Sequence, residues 1–263
     1  MLVPCCVAVV GTVVLTACST DDEPILLSQG PAAETVDSDD TDSAPMEMTT
    51  ADSRAGYTVV AESVVGRMSA RAGPDPDAEV IAEFQHPTPV GGPLVFRAVD
   101  GALDDPAGGG GEWLEVLLPI QPNGTTGWIR ADEVSLSNNP YRLEIDRAGF
   151  TLRVYELSEL WLQTTIAVGT GDTPTPVGEF YLKELLAPPD PNGPYGPYAF
   201  GLSGFSEVLE SFGGADTAII GLHGTNDPDA LGTNVSSGCI RLENAVIEQL
   251  AQTLPLGTPV VIT

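Results

Sequence analysis

Positive charge is what this sequence has least of, with 10 Lys and Arg against 37 Asp and Glu in 263 residues and a formal net charge of −27. No basic stripe interrupts that balance, so a phosphate backbone would be repelled, which excludes nucleic acid as a partner. Cysteine is nearly absent from the body of the chain. Cys5, Cys6 and Cys18 crowd the start and Cys239 stands alone near the end, a distribution that implies no disulfide framework. Histidine is limited to His86 and His223. A metal centre wants three or four ligands, and with one Cys and one His in the last 125 residues no metal and no cofactor are predicted. Aromatics make up only 6%, whereas Gly (29) and Pro (23) are plentiful. That balance points to many turns and β-structure rather than a helical bundle.

The apolar run Val7 to Leu15 is too short to cross a bilayer, and no Lys or Arg precedes it. It ends in Leu15-Thr16-Ala17-Cys18, which resembles the lipobox of bacterial lipoprotein signals. The resemblance implies a signal peptide over 1–17 and acylation of Cys18. It also implies a membrane partner through a lipid anchor, on the outer face of the bacterial cytoplasmic membrane, facing the cell wall. Two or three acyl chains anchor firmly where one is marginal. Residues 18–56 are acidic and rich in Ser, Thr, Ala and Pro, with Ile25, Leu26 and Leu27 the main large apolar side chains. They read as a disordered linker, because such a stretch buries too little surface to offset its ordering entropy.

From 57 to 137, short β-like runs alternate with turn clusters. Thr58-Val59-Val60, Val80-Ile81-Ala82, Leu94-Val95-Phe96 and Trp113 to Val116 are such runs; Gly73-Pro74-Asp75-Pro76, Gly91-Gly92-Pro93 and Gly108 to Gly111 are breaks. This punctuation, without a helical period, predicts a small barrel or sandwich. Arg71-Ala72-Gly73-Pro74, Trp113-Leu114-Glu115-Val116 and Gly127-Trp128-Ile129 resemble bacterial SH3-like domains, which implies binding of peptide or wall polymer. Trp113 and Trp128 are read as core residues, with ligand platforms as the alternative.

Residues 139–263 change character. Arg142 to Asp146 and Thr151 to Val154 alternate with period two, and Phe180 to Leu182, Ala218 to Leu222 and Thr258 to Thr263 are further strands. One helix is predicted from Asn244, which can cap it, with Val246, Ile247, Leu250 and Leu254 as its apolar stripe and Pro255 as its stop. The whole chain is therefore expected to be mainly β, a small barrel followed by a sandwich with one packed amphipathic helix.

Two motifs in this region carry chemistry, His223-Gly224-Thr225-Asn226 and Ser236-Ser237-Gly238-Cys239-Ile240-Arg241. A thiol attacks as thiolate, and an imidazole nearby can take its proton and return it to a leaving amine. Gly238 lets a carbonyl approach the backbone, where amide N–H groups can hold an oxyanion. Arg241 shares the side-chain parity of Cys239 on a common strand, placed to grip a carboxylate or favour the thiolate. The plain alternatives are a turn histidine and a Cys acting as a small hydrophobe. His precedes Cys, the reverse of papain-like order.

These motifs, with Thr173-Pro174-Thr175-Pro176-Val177-Gly178-Glu179-Phe180 and Tyr195-Gly196-Pro197-Tyr198, resemble the YkuD-type L,D-transpeptidase catalytic domain. Many members have His where this chain has Ser237. The resemblance implies an acyltransferase that joins peptidoglycan peptide stems by 3→3 crosslinks through a Cys239 thioester. His223 is then the general base, and Gly238 and Arg241 assist. Ser237, Tyr195, Tyr198, Thr225 and Asn226 become substrate contacts, the two tyrosines as a lid. An L,D-carboxypeptidase, an inert wall-binding lipoprotein and an enzyme attaching polypeptides to the wall remain as alternatives.

Overall fold

A computed structural model describes residues 56–99, 111–211 and 216–263, and the backbone of Ile25–Leu26. The leader, Cys18 and almost all of the expected linker 18–56 lie outside the described residues. The protein is mainly β, with two sheets of seven and nine strands, a two-stranded parallel ladder of β12 (Val168–Gly169) and β16 (Asn234–Ser236), and a single α-helix among the described residues. That helix is short, and no helix among them is long and apolar enough to cross a membrane.

The first sheet comprises β2 (Thr58–Ser63), β3 (Arg67–Arg71), β4 (Val80–Gln85), β5 (Val95–Ala98), β6 (Trp113–Leu117), β7 (Thr126–Arg130) and β8 (Val134–Asn139). Its order is β4-β3-β7-β6-β5-β2-β8, and every pairing is antiparallel. Period-two alternation puts Ala61, Met68, Phe96, Leu114, Val116 and Ile129 into one core. Trp113 is buried and Trp128 half-buried.

Pro140 marks the changeover. β8 ends at Asn139 in the first sheet, and Tyr141 begins the second. The second sheet contains β9 (Tyr141–Asp146), β10 (Thr151–Glu156), β11 (Glu159–Thr165), β13 (Gly178–Ala187), β14 (Ala199–Phe205), β15 (Ile219–His223), β17 (Ile240–Arg241) and β18 (Pro259–Ile262). They run in the order β11-β10-β9-β18-β13-β14-β15-β17, and β1 (Ile25–Leu26) pairs with β13. The ten-residue β13 curls the sheet: its first half pairs with β18 and its second half with β14. Inside the curl lies one core, from Leu143 and Leu152 to Phe200, Leu222 and Ile240, closed by Ile247, Leu250 and Leu254 from α1 (Asn244–Thr253) and the residue after it.

The helix starts at Asn244, as its sequence predicts, but Asn244 does not cap it. Glu243 occupies the cap position without a side-chain bond. Asn244 Oδ1 instead accepts the Thr225 amide at 2.8 Å, which holds the loop after His223.

The two sheets are tied together by specific bonds. Arg97 pairs with Glu179 at 2.6 Å, and Asn139 Nδ2 donates to Thr258 Oγ1 at 2.8 Å. Asn123 brackets the backbone of Phe205, donating to its carbonyl and accepting from its amide, both at 2.9 Å. A small shared core joins Val60, Val95 and Leu117 to Tyr181.

Candidate active site

Strand register brings the chemistry together. β15 and β17 are parallel neighbours, with Leu222 opposite Ile240 and His223 opposite Arg241. Leu222 and Ile240 are fully buried in the core, so alternation turns His223 and Arg241 to the other face of the sheet. Cys239 immediately precedes β17 and falls on that same face. Its Sγ accepts the Gly221 amide at 3.4 Å.

The turn that presents the thiol is held from several sides. Gly238 has φ of +114°, and a Cβ there would press on Ile220 Cδ1 at 3.1 Å, so glycine is the residue that fits. Ser236 Oγ donates to the Cys239 carbonyl at 2.5 Å and accepts the Gly238 amide at 3.1 Å. Thr175 Oγ1 donates to the Gly238 carbonyl at 2.8 Å and accepts the Gly169 amide at 2.9 Å. Thr173 Oγ1 donates to the Ser236 carbonyl at 3.1 Å. The threonines of the Thr173–Pro176 motif are thus anchors of the turn that carries Cys239. Because the Gly238 amide is taken by Ser236, the Cys239 amide, unpartnered among the described residues, is the donor left for an oxyanion.

His223 is 4% exposed. Its Nδ1 donates to the Gly224 carbonyl at 2.6 Å, which fixes the neutral tautomer and leaves Nε2 as an acceptor. The ring's Cδ2 and the sulfur of Cys239 lie 3.4 and 3.6 Å from the point where a Gly221 side chain would begin. The missing side chain is the space in which they meet. Burial pulls the imidazole down from 6.5 to about 4, opposed by the Gly224 bond and reinforced by Arg241. Burial likewise pushes the Cys239 thiol up, against the pull of the Gly221 amide and of Arg241. Arg241 does favour the thiolate, as its position in the sequence suggests, but desolvation is the larger effect. The resting pair at neutral pH is therefore thiol and neutral imidazole, poised for proton transfer during attack.

Both groups open onto a cleft of about 470 Å³. Tyr195 stands over it, its ring edge-on to His223 at 4.9 Å and 62°. Tyr198 packs against the core and supports the site through its carbonyl, which accepts the Gly224 amide at 3.3 Å. Thr225 is buried and Asn226 exposed, and both line a separate cleft with Asn192 and Asn244 rather than the one containing Cys239. Ser237 is exposed on the turn. Arg241 Nε is buried without a hydrogen-bond partner. Sequence reasoning passed over Ser236, Thr175, Gly221 and Glu184. The first two stand inside motifs it quoted, whereas nothing in the sequence marks Gly221 or Glu184 as neighbours of Cys239.

Residues 140–262 match the family model of the YkuD L,D-transpeptidase catalytic domain. YkuD of Bacillus licheniformis, an inferred L,D-transpeptidase, is 40% identical over 124 residues, 47% of this chain and 66% of its own. YkuD of Bacillus subtilis, inferred to be the same kind of enzyme, is 35% identical over 123 residues, again 47% of this chain and 66% of that one. The chain thus spans just under two thirds of the length of these relatives. Among solved structures, an L,D-transpeptidase from Mycobacterium smegmatis is similar over 55% of this chain and 76% of its own, with 18% identity and a TM-score of 0.39. Family model and relatives thus agree that residues 140–262 are similar to the YkuD L,D-transpeptidase catalytic domain.

Proposed function

We propose that this protein forms 3→3 crosslinks between peptidoglycan stems through a thioester on Cys239. One observation carries the reading: Cys239 Sγ and the His223 ring converge on the empty side-chain position of Gly221, at a solvent-open cleft. In the first half-reaction Sγ attacks the carbonyl of the third stem residue while His223 Nε2 takes the thiol proton. The oxyanion lies by the Cys239 amide. The C–N bond then breaks, and D-alanine leaves with the proton that His223 held. In the second half-reaction the amine of a neighbouring stem attacks the thioester, its proton passes through His223 to the departing sulfur, and the free thiol returns. Arg241, with a buried unpartnered Nε, holds a donor carboxylate.

Incubation with disaccharide-tetrapeptide and mass spectrometry of the products tests this. The expected product is a crosslinked dimer that has lost one D-alanine. Stems merely shortened by D-alanine would make the enzyme an L,D-carboxypeptidase, and unchanged substrate would overturn both readings.

The remaining proposals concern placement. Acylation of Cys18 would tether the protein to the membrane, so Cys18→Ala should move it from the detergent phase to the soluble fraction. Residues 57–137 would act as an SH3-like wall-binding unit, supported by their short turn-linked strands. Of the two tryptophans, Trp113 is buried and Trp128 has area to offer a ligand.

A further inference from the structure

The mechanism leaves one pair of charges without a task. Lys183 and Glu184 lie 3.3 Å apart on β13, with only 19% and 13% of their side chains exposed. Withdrawing two charges from water is seldom repaid by their mutual attraction alone. Their position is set by a break in register: Leu182 pairs with Leu202, but Glu184 already pairs with Gly201. Lys183 is the extra residue of a bulge, a device that re-aims side chains.

The register continues across the sheet. Glu184 is opposite Gly201, and Gly201 is opposite Gly221, so the three stand in one row on one face. The Glu184 carboxylate leans over Gly201, where a Cβ would collide with its Oε1. The next position in the row is Gly221, whose amide donates to Cys239 Sγ. Two glycines therefore make a floor free of side chains, with a carboxylate at one end and the nucleophile at the other. Glu184, Gly201, Gly221 and Cys239 all line the same cleft. With strands about 4.8 Å apart, carboxylate and thiol are separated by roughly one to two strand spacings, on the order of 5–10 Å.

We infer that Glu184 receives the side-chain ammonium of the donor residue whose carbonyl Cys239 attacks. This rests on the function proposed above and deepens it. An extended diamino-acid side chain carries its nitrogen roughly 7–8 Å from its own carbonyl carbon, by six bonds of about 1.5 Å, which suits a trough of that span. A carboxylate removed from water is a strong acceptor for an ammonium donor. Lys183, 3.3 Å away, is the positioning residue that keeps the carboxylate in place while the cleft is empty. The trough thus selects donors by a positive charge at a set reach.

The test compares stems bearing lysine or diaminopimelate at the third position, each with its side-chain amine free or acetylated, and a norleucine stem. D-alanine release by the wild-type enzyme is followed with a constant excess of a tripeptide stem bearing a free amine, which serves as acceptor in every case and has no D-alanine to lose. Acetylation, or norleucine, should lower kcat/KM at least about 10-fold, chiefly through KM. Glu184→Gln should lower activity on free-amine stems by a similar factor and leave the acetylated and norleucine stems unaffected, with an unaltered rate of Cys239 alkylation by iodoacetamide. Equal use of free and acetylated stems by the wild type overturns the role of Glu184 while leaving the transpeptidase reading intact. That comparison needs no variant, so it decides the matter even if Glu184→Gln fails to fold. Release from none of the stems would overturn the transpeptidase reading, and this inference with it.

Discussion

The side chains that dock the two sheets and the side chains around Cys239 use the same kinds of bond to different ends. Arg97, Asn123 and Asn139 each reach across to fix one backbone or side chain of the second sheet. Their bonds are spread along the junction, so each supports only its own neighbourhood. Around Cys239 the bonds converge instead: Thr173, Thr175 and Ser236 all act on one turn, and the turn presents one atom. Beside it a histidine is buried neutral and an arginine nitrogen is left unpartnered. Distributed bonds hold a fold, whereas convergent ones, with some donors withheld, suit the reaction proposed for Cys239.

The sharpest way to break that contrast is at the sulfur. Cys239→Ala and Cys239→Ser should abolish turnover yet keep stability within about 1 kcal/mol of wild type, since the thiol contributes little packing that serine cannot replace. Substantial activity in the serine variant would remove the thioester from the mechanism.

Next in size is His223. Its replacement by Ala should slow turnover about 10²–10⁴-fold, the usual reach of general acid–base catalysis, and should slow alkylation of Cys239 near neutral pH. The same residue links stability to pH. Its folded pKa lies near 4 against 6.5 unfolded, so below 6.5 the unfolded chain takes up the proton first. The stability is complete above pH 6.5 and falls by about 3 kcal/mol as the pH drops towards 4. His223→Asn should flatten that part of the curve relative to wild type in urea titrations, and parallel curves would place His223 in a less buried setting.

The turn offers a finer cut. Thr175→Val keeps the shape but leaves the Gly169 amide and the Gly238 carbonyl without their partner. About 3 kcal/mol of stability should go, with an activity loss of about 10–100-fold from misplacement of the sulfur. Full kcat in a destabilised variant would mean that the turn holds itself. Smallest of all should be Asn123→Ala. Losing both bonds to Phe205 should cost about 1–2 kcal/mol while leaving D-alanine release within about twofold. A large catalytic loss there would erase the distinction between docking bonds and reaction bonds.

Much of this was legible in the chain. Short β-like runs between turn clusters, with period-two alternation in β9 and β10, located many strands of both sheets, and the stripe Ile247, Leu250 and Leu254 with Pro255 behind it located the helix, since such patterns are local. β3, β8, β11 and β14 were not singled out: β14 in particular reads Ala-Phe-Gly-Leu-Ser-Gly-Phe, whose glycines break the usual strand pattern. Those glycines have a reason only in three dimensions, for Gly201 gives room to Glu184 and a Cβ on Gly204 would collide with the Phe180 ring. Similarly, Asn244 carries the residue type of a cap, and only the nearness of the loop after His223 explains why it serves Thr225 instead.

By itself the sequence determined the residue types: one thiol and one imidazole in the last 125 residues, an arginine in step with the thiol, and glycine where the turn needs φ of +114°. Those depend on chemistry and on spacing along the chain. Tertiary structure decided which of the neighbouring polar residues face the sulfur. It sent Thr225 and Asn226 to another cleft, brought Gly221 and Glu184 to this one, and set Thr175 beneath the turn that carries the sulfur. It also decided that the pair rests neutral, because burial outweighs the pull of Arg241 on the thiol and acts together with it on the imidazole. Strand register and desolvation are sums over distant segments, and no local window of the chain contains them.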